Sequence, residues 1–375
     1  MQPQQSRGSQ PVRVLARSAD YRPASLDRII EEIVEAFPRA WQGKRVLVKP
    51  NILAPHRPDR AVTTHPEVVA AVVRALTRRG AEVLVGDNPG VGGYGRSQSS
   101  ADRCGILDAA GQCYRNLGQQ PVQVSCQSRF FDSVTVSREV LEADEVVNLP
   151  KLKTHSLTFL TASIKNTFGY LVGGDKMRIH SLCPRPTHFA EALLDVYAIR
   201  PPSLTIMDAV LGMQGNGPAN GSPVSLGRIL GSDDGVALDA AATKFLGSKP
   251  SAVPHVEQAG KRGLGEARLE RIAVDGDLRP VSGFRFPSTF VPGLTGVLLN
   301  RYLSRWINCL PEIDRQRCIE CGLCASHCPS GAMRMEEQGP RLDASACINC
   351  YCCQEMCPAD AIRLTGRLLR FLRRE

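Results

Sequence analysis

The chain has 375 residues, 43% hydrophobic and 22% charged, which is ordinary globular usage with length for two or three domains and excludes a disordered or fibrous class. No apolar run reaches 18 residues, so no spanning helix is predicted, and residues 1–10 lack the basic-then-apolar pattern of a secretory signal and read as a disordered tail. The formal charge of +9 suits acidic partners or anionic ligands, and nucleic acid is not an expected partner because no binding motif or aromatic-interleaved basic stripe accompanies it.

From residue 11 to about 285, short apolar runs alternate with helical patterns. Residues 45–49 read as a buried strand. Residues 65–79 read as a helix, opened by Thr64-His65-Pro66-Glu67 with capping-box spacing. Strands follow at 81–86 and 145–149. The stripe Leu157, Leu160, Ile164, Phe168 and Leu171 then predicts an amphipathic helix over 157–171. A helix over 187–199, strands at 203–207 and 228–230, and a helix over 236–246 complete the series. This alternation predicts an α/β domain, a mainly parallel sheet flanked by helices on both faces.

Ligands of such sheets sit beyond the carboxyl ends of the strands. The polar residues collect there: Lys49-Pro50-Asn51, Asp87-Asn88-Pro89, Lys151-Leu-Lys153-Thr-His155, and Asp208 with the glycine-rich Gly212 to Pro218. With Lys165 and the segment Asp175 to His180 they would suit a carboxylate or phosphate. A solvated cationic face is the structural alternative. Gly90-Val-Gly92-Gly-Tyr-Gly95 fits a dinucleotide fingerprint in letters, but no helix opens inside it and it reads as a loop. His155, His180, His188, Asp87 and Asp208 show no close metal-ligand spacing, and Cys183, beside Pro184, reads as a loop residue.

Residues 286–312 read as a linker and an amphipathic helix over 293–310. Membrane-surface contact is weighed for that helix, and docking of the next domain is the reading adopted. Residues 313–375 form the last domain. Nine of the 14 cysteines lie between Cys318 and Cys357, a pattern of metal binding in a reducing cytoplasm rather than of secreted disulfides.

Cys318, Cys321, Cys324 and Cys328-Pro329 form a C-x2-C-x2-C-x3-C-P run, which recurs 29 residues later as Cys347, Cys350, Cys353 and Cys357-Pro358. Two-residue gaps let three thiolates curl round one cubane, while the fourth cysteine reaches the other. Cys318, Cys321, Cys324 and Cys357 would hold one [4Fe–4S] cluster, and Cys347, Cys350, Cys353 and Cys328 the second. Zinc would need no third cysteine in each run. The run resembles bacterial two-cluster ferredoxins, which implies a small α+β domain. Cys352 is surplus, an alternative ligand or a passive neighbour, and His327 reads as a surface histidine.

Val46-Leu-Val-Lys-Pro-Asn51, Asn148-Leu-Pro-Lys-Leu-Lys-Thr-His155, Ile164-Lys-Asn-Thr-Phe-Gly169 and Met207-Asp208 with Gly215-Asn-Gly-Pro218 resemble the family called domain of unknown function 362. Members often carry a C-terminal two-cluster ferredoxin domain with a Cys-Tyr-Cys-Cys step. The resemblance implies a cytoplasmic iron–sulfur protein and supplies no reaction.

The function expected is an iron–sulfur oxidoreductase with two [4Fe–4S] clusters, a redox partner protein and an anionic substrate at the strand ends. Lys49, Asn51, Lys153, His155 and Lys165 would position that substrate, His155 would donate the proton, and Asp208 would orient it or bind metal. The alternative is a non-catalytic electron carrier or maturation factor whose α/β domain docks a partner.

Overall fold

The structure, a computed structural model, describes residues 10–90, 97–289 and 309–366. Residues 293–308 of the helix predicted over 293–310, most of the Gly90–Gly95 loop, nearly all of the N-terminal tail and the basic end after residue 366 lie outside them, and Cys309 and Leu310, predicted to end that helix, open a strand instead.

Eleven strands precede the cysteine module: β1 (Val12–Ser18), β2 (Arg45–Pro50), β3 (Glu82–Val85), β4 (Pro121–Ser125), β5 (Ser133–Ser137), β6 (Glu145–Leu149), β7 (Lys151–His155), β8 (Phe159–Thr161), β9 (Leu204–Gln214), β10 (Ser222–Ser232) and β11 (Ile272–Gly276). The central sheet runs β11-β1-β10-β9-β6-β2-β3, and only β10 opposes the other strands on that path. The fold is therefore α/β with a mainly parallel sheet.

Strand alternation assigns the faces. In β2, Val46 and Val48 enter one core with the helices Pro23–Ala36 and Pro66–Arg78. Leu47 enters the opposite core with Phe168, Tyr170 and the helix Pro186–Ile199. Lys49 therefore points to the same side as Leu47, and meets Asp87 there.

The structure corrects the predicted helix over 157–171. The stripe is buried as its periodicity demands, but it belongs to three short elements. Leu157 and Thr158 donate their backbone N–H groups to His155 Nδ1 (3.1 and 3.4 Å), which closes a turn. Phe159 has a φ of 66°, and β8 folds back on β7. A helix of one turn, Ser163–Asn166, then starts where the Asp239 carboxylate accepts from Ser163 N and Ile164 N (2.7 and 2.9 Å). That cap comes from a helix 75 residues away, which no local pattern reveals. The predicted capping box is corrected too. His65 Nδ1 accepts from Glu67 N (3.2 Å), while Thr64 Oγ1 serves Leu149 O and Asn51 N instead.

The C-terminal module has four strands, β12 (Cys309–Ile313), β13 (Met333–Glu336), β14 (Gly339–Leu342) and β15 (Ile362–Gly366), paired β12 with β15 and β13 with β14. Its duplication is visible in the backbone. Glu320 and Asn349, Gly322 and Tyr351, and Gly331 and Asp360 are pairs 29 residues apart, and all six have positive φ. Tyr351 takes at φ 61° the conformation that glycine provides in the first half. The strain, about 1–2 kcal/mol, is offset because its ring is buried with Leu47, Leu84 and Phe168 in the core of the α/β domain.

Candidate functional site

Beyond the carboxyl ends of β2, β3 and β6, the chain walls a cavity of about 90 Å³ that opens into a wider cleft. Asn51 to Leu53 follow β2, and Asp87, Asn88 and Gly90 follow β3. After β6 the chain breaks at Pro150 and continues as β7, whose alternation turns Lys153 and His155 to the cavity. Lys165 and Phe168 come from the segment predicted as one helix, and Lys176 and His180 from the helix Asp175–Leu182 that follows it. The last wall is the module, through His327, Cys352, Glu355 and Met356.

Four lysines gather here, Lys49 and Lys153 buried and Lys165 and Lys176 half-buried. Lys49 pairs with Asp87 (Nζ to Oδ1, 2.7 Å), whose other oxygen accepts from Ile52 N (2.7 Å). Gly169 presses on this pair: a Cβ added there would lie 2.1 Å from Asp87 Oδ1 and 2.6 Å from Lys49 Nζ. Gly169→Ala is expected to cost about 1–3 kcal/mol, read as a fall in the urea midpoint. An unchanged midpoint would show that the pair yields freely.

The other three lysines have no carboxylate within ion-pair distance among the described residues. Lys153 Nζ donates to Val62 O (2.6 Å), and Lys176 Nζ to Asn88 O and Pro89 O. Lys165 Nζ lies 4.5 Å from the Phe168 ring centroid and 5.6 Å from that of Phe189. Burial pushes Lys153 and Lys176 down to about 7 and lowers Lys165 as well. Asn51 Oδ1, Thr161 Oγ1, Asn166 Oδ1 and His180 Nδ1 are buried in the same walls with no hydrogen-bond partner among the described residues. Unpaired cations and unsatisfied polar atoms in one cavity describe a site for a polar, anionic ligand.

His155 is in the wall but is engaged. Its Nδ1 accepts two backbone N–H groups, so the neutral ring carries its proton on Nε2, 3.2 Å from Glu355 Oε1. Burial holds its pKa well below the ordinary value, and burial raises Glu355 to about 7. The ring is fixed against the module and has no second proton to give. Neighbouring bonds fix the same contact. Gln354 takes Ser156 Oγ (3.2 Å) and gives to Asn216 O (2.9 Å), and Arg60 pairs with Asp360 (2.6 Å).

The structure does not bring Asp208 to the cavity. Because β9 runs on past the sheet edge to pair with β7, Asp208 faces Lys151 at 2.8 Å, with both side chains fully buried. Tyr21 OH and His65 N also donate to it (both 2.9 Å). Of the sequence candidates, Asn51, Lys153, His155 and Lys165 line one cavity, Lys49 lies behind it, and Asp208 is elsewhere. The contributions of Cys352 and Glu355 were not legible. Lys151-Leu-Lys153-Thr-His155 does alternate as a strand, a signal masked by its charge.

In the module, Cys318, Cys321, Cys324 and Cys357 line one small apolar pocket, with Ile313, Pro340 and Ile362 among its walls. Cys353 packs with Cys324, with Cys328 and Cys357 against them, and its thiol is pushed up by burial and then by Cys350, Cys347, Cys328 and Cys324. Backbone N–H groups point at the fourth cysteine of each run, Met333 N to Cys328 Sγ (3.4 Å) and Ala361 N to Cys357 Sγ (3.2 Å). Such donors stabilise thiolate ligands. Each run supplies three cysteines at two-residue gaps and a fourth followed by proline. The donor set fits iron–sulfur clusters.

Residues 46–244 match the family described as domain of unknown function (DUF362). The chain belongs to the DUF362 family. Residues 317–361 match the 4Fe-4S dicluster domain, so this DUF362 protein carries an iron–sulfur electron-transfer domain. It is 30% identical over 309 residues to the thylakoid-associated protein sll1697 of Synechocystis sp., a match covering 80% of this chain and 95% of that protein. Among solved structures it is similar to the lactate racemase apoprotein from Thermoanaerobacterium thermosaccharolyticum (TM-score 0.42, 10% identity) and to a protein from Thermotoga maritima (TM-score 0.39, 13% identity). Each match covers 64% of this chain, and they span 57% and 59% of those two chains. Among the described residues no helix is long and apolar enough to cross a membrane.

Proposed function

We propose that this DUF362 protein is an iron–sulfur oxidoreductase that reduces an anionic substrate in the cavity between its α/β domain, residues 11–285, and its cluster domain, residues 313–375. The observation that carries the reading is one cavity with two kinds of wall. One is lined by Lys153, Lys165 and Lys176, and the other is the Cys352–Met356 helix, which contains Cys353. Cys318, Cys321, Cys324 and Cys357 would hold one [4Fe–4S] cluster, and Cys347, Cys350, Cys353 and Cys328 a second. When bound, these groups supply single electrons.

The rest falls to the chain's own side chains. Lys165 and Lys176 attract the anionic group, and Asn51, Thr161 and Asn166 orient it through the atoms left without partners. Lys153, pushed to about 7, can give a proton near neutral pH, and replaces His155 in that role. His155 positions the module through Glu355. A redox partner protein would meet the first cysteine run, where Ile319 is 65% exposed beside Cys318 and Cys321. A reducing compartment, the cytoplasm, suits so many thiolates.

Calorimetry with inorganic phosphate on the anaerobic, cluster-loaded protein tests the cavity. Once corrected for the second ionisation of phosphate itself, which falls in the same range, affinity is expected to fall as pH rises from 6 to 8. Lys153 is charged below its pKa of about 7 and neutral above it, and Glu355, titrating near the same pH, adds a like-signed change. Lys49 and Asp87 stay paired behind the wall. Lys153→Met is expected to weaken phosphate binding at pH 6 by about tenfold, the effect of roughly 1.4 kcal/mol. Binding that ignores both pH and Lys153 would return the protein to the carrier or docking reading.

A further inference from the structure

We propose that Lys165 is an imine-forming amine, and that the cavity takes carbonyl compounds bearing an anionic group. This rests on the cavity being the substrate site and adds the class of substrate.

The first argument is residue type. Of the 46 basic residues only nine are lysine and 37 are arginine. Among the described residues, all the lysine and arginine side chains that line the cavity, Lys153, Lys165 and Lys176, are nevertheless lysine. For holding a carboxylate or phosphate alone, the forked guanidinium is the better group, and it never gives up its proton. What lysine adds is an amine that can become neutral and attack carbon. A chain that favours arginine four to one has kept amines at the one place where that difference has chemical use.

The second argument is geometric and singles out one amine. The nitrogens of Lys153 and Lys176 are tied to backbone carbonyls. Lys165 has no hydrogen bond and no ion pair among the described residues. It is half-buried, opens on the cavity, and rests on the Phe168 and Phe189 rings. Burial lowers its pKa and Lys49 adds to that, against the opposing pull of Glu355 and Cys352. Each unit of lowering raises the neutral fraction at pH 7 about tenfold.

In the step itself the neutral Lys165 nitrogen adds to the carbonyl carbon. The carbonyl oxygen then leaves as water and a C=N bond remains. No electrons are exchanged, and hydrolysis returns the amine. Lys153 and Lys176 hold the anionic group meanwhile.

The probe is pyridoxal 5′-phosphate, an anionic aldehyde, offered to anaerobic cluster-loaded protein at pH 7 and fixed with cyanoborohydride before peptide mass mapping. Lys165 is expected to be labelled at least tenfold faster than the exposed Lys244, Lys249 and Lys261. Excess inorganic phosphate should suppress that label alone. Lys165→Arg, which keeps the charge but never gives up its proton, should lose the cavity label while its unfolding midpoint in calorimetry shows that it folds. Labelling that follows exposure, or that falls on Lys153 or Lys176, overturns the proposal. If phosphate binds while Lys165 stays bare, the imine fails and the anion cavity stands. If phosphate does not bind either, both readings fall.

Discussion

Cys353→Ala is expected to halve the iron in anaerobically purified protein, from about eight atoms per chain to about four, while Cys352→Ala leaves it unchanged. The two cysteines are adjacent, and sequence alone leaves either as a ligand. They face different neighbours: Cys352 lines the lysine cavity with its thiol also against Cys350, whereas Cys353 packs with Cys324 and Cys328 near Cys347 and Cys350. Helical neighbours point about 100° apart, so one cannot replace the other without rebuilding the loop. Iron analysis and the electron paramagnetic resonance of the dithionite-reduced protein read the outcome. Loss of iron in Cys352→Ala with retention in Cys353→Ala would reverse the assignment. Equal loss in both would mean that the helix Cys352–Met356 fails to fold, and Cys352→Ser then decides.

The second large effect concerns stability. Asp208→Ala is expected to cost about 3–5 kcal/mol, because removing one partner of a buried ion pair strands the other. Lys151 would keep only Tyr21 OH, and the N–H of His65 would lose its acceptor. Burial already lowers the pKa of Lys151 against the pull of Asp208, so the stranded amine would shed its proton. Lys151→Met with Asp208→Asn should recover part of the loss. Guanidinium unfolding reads both. If Asp208→Ala keeps its midpoint yet abolishes turnover, Asp208 is a catalytic group and the placement argued above is wrong.

These two expectations show how unevenly the molecule is written in its sequence. The β–α alternation was legible because burial on both faces leaves unbroken apolar runs, such as Val46-Leu-Val. The gathering of polar residues at the strand ends followed from parallel direction alone, and β2, β3, β6 and β9 do run parallel. The 157–171 stripe misled because burial at helical spacing does not require a helix. Phe159 breaks it with a left-handed backbone, and Asp239 restarts it from outside.

What the sequence determined by itself was the cysteine arithmetic. Ligands two residues apart meet one cubane through local geometry, and the 29-residue repeat carries even the left-handed positions with it. What only the tertiary structure decided was which polar residue faces which. Asp208 went to Lys151, His155 to Glu355 two hundred residues away, and Lys165 to an aromatic seat open to the cavity. A buried charge is placed by where a partner or a ligand can offset its desolvation, and that partner is chosen by packing between distant segments rather than by spacing along the chain.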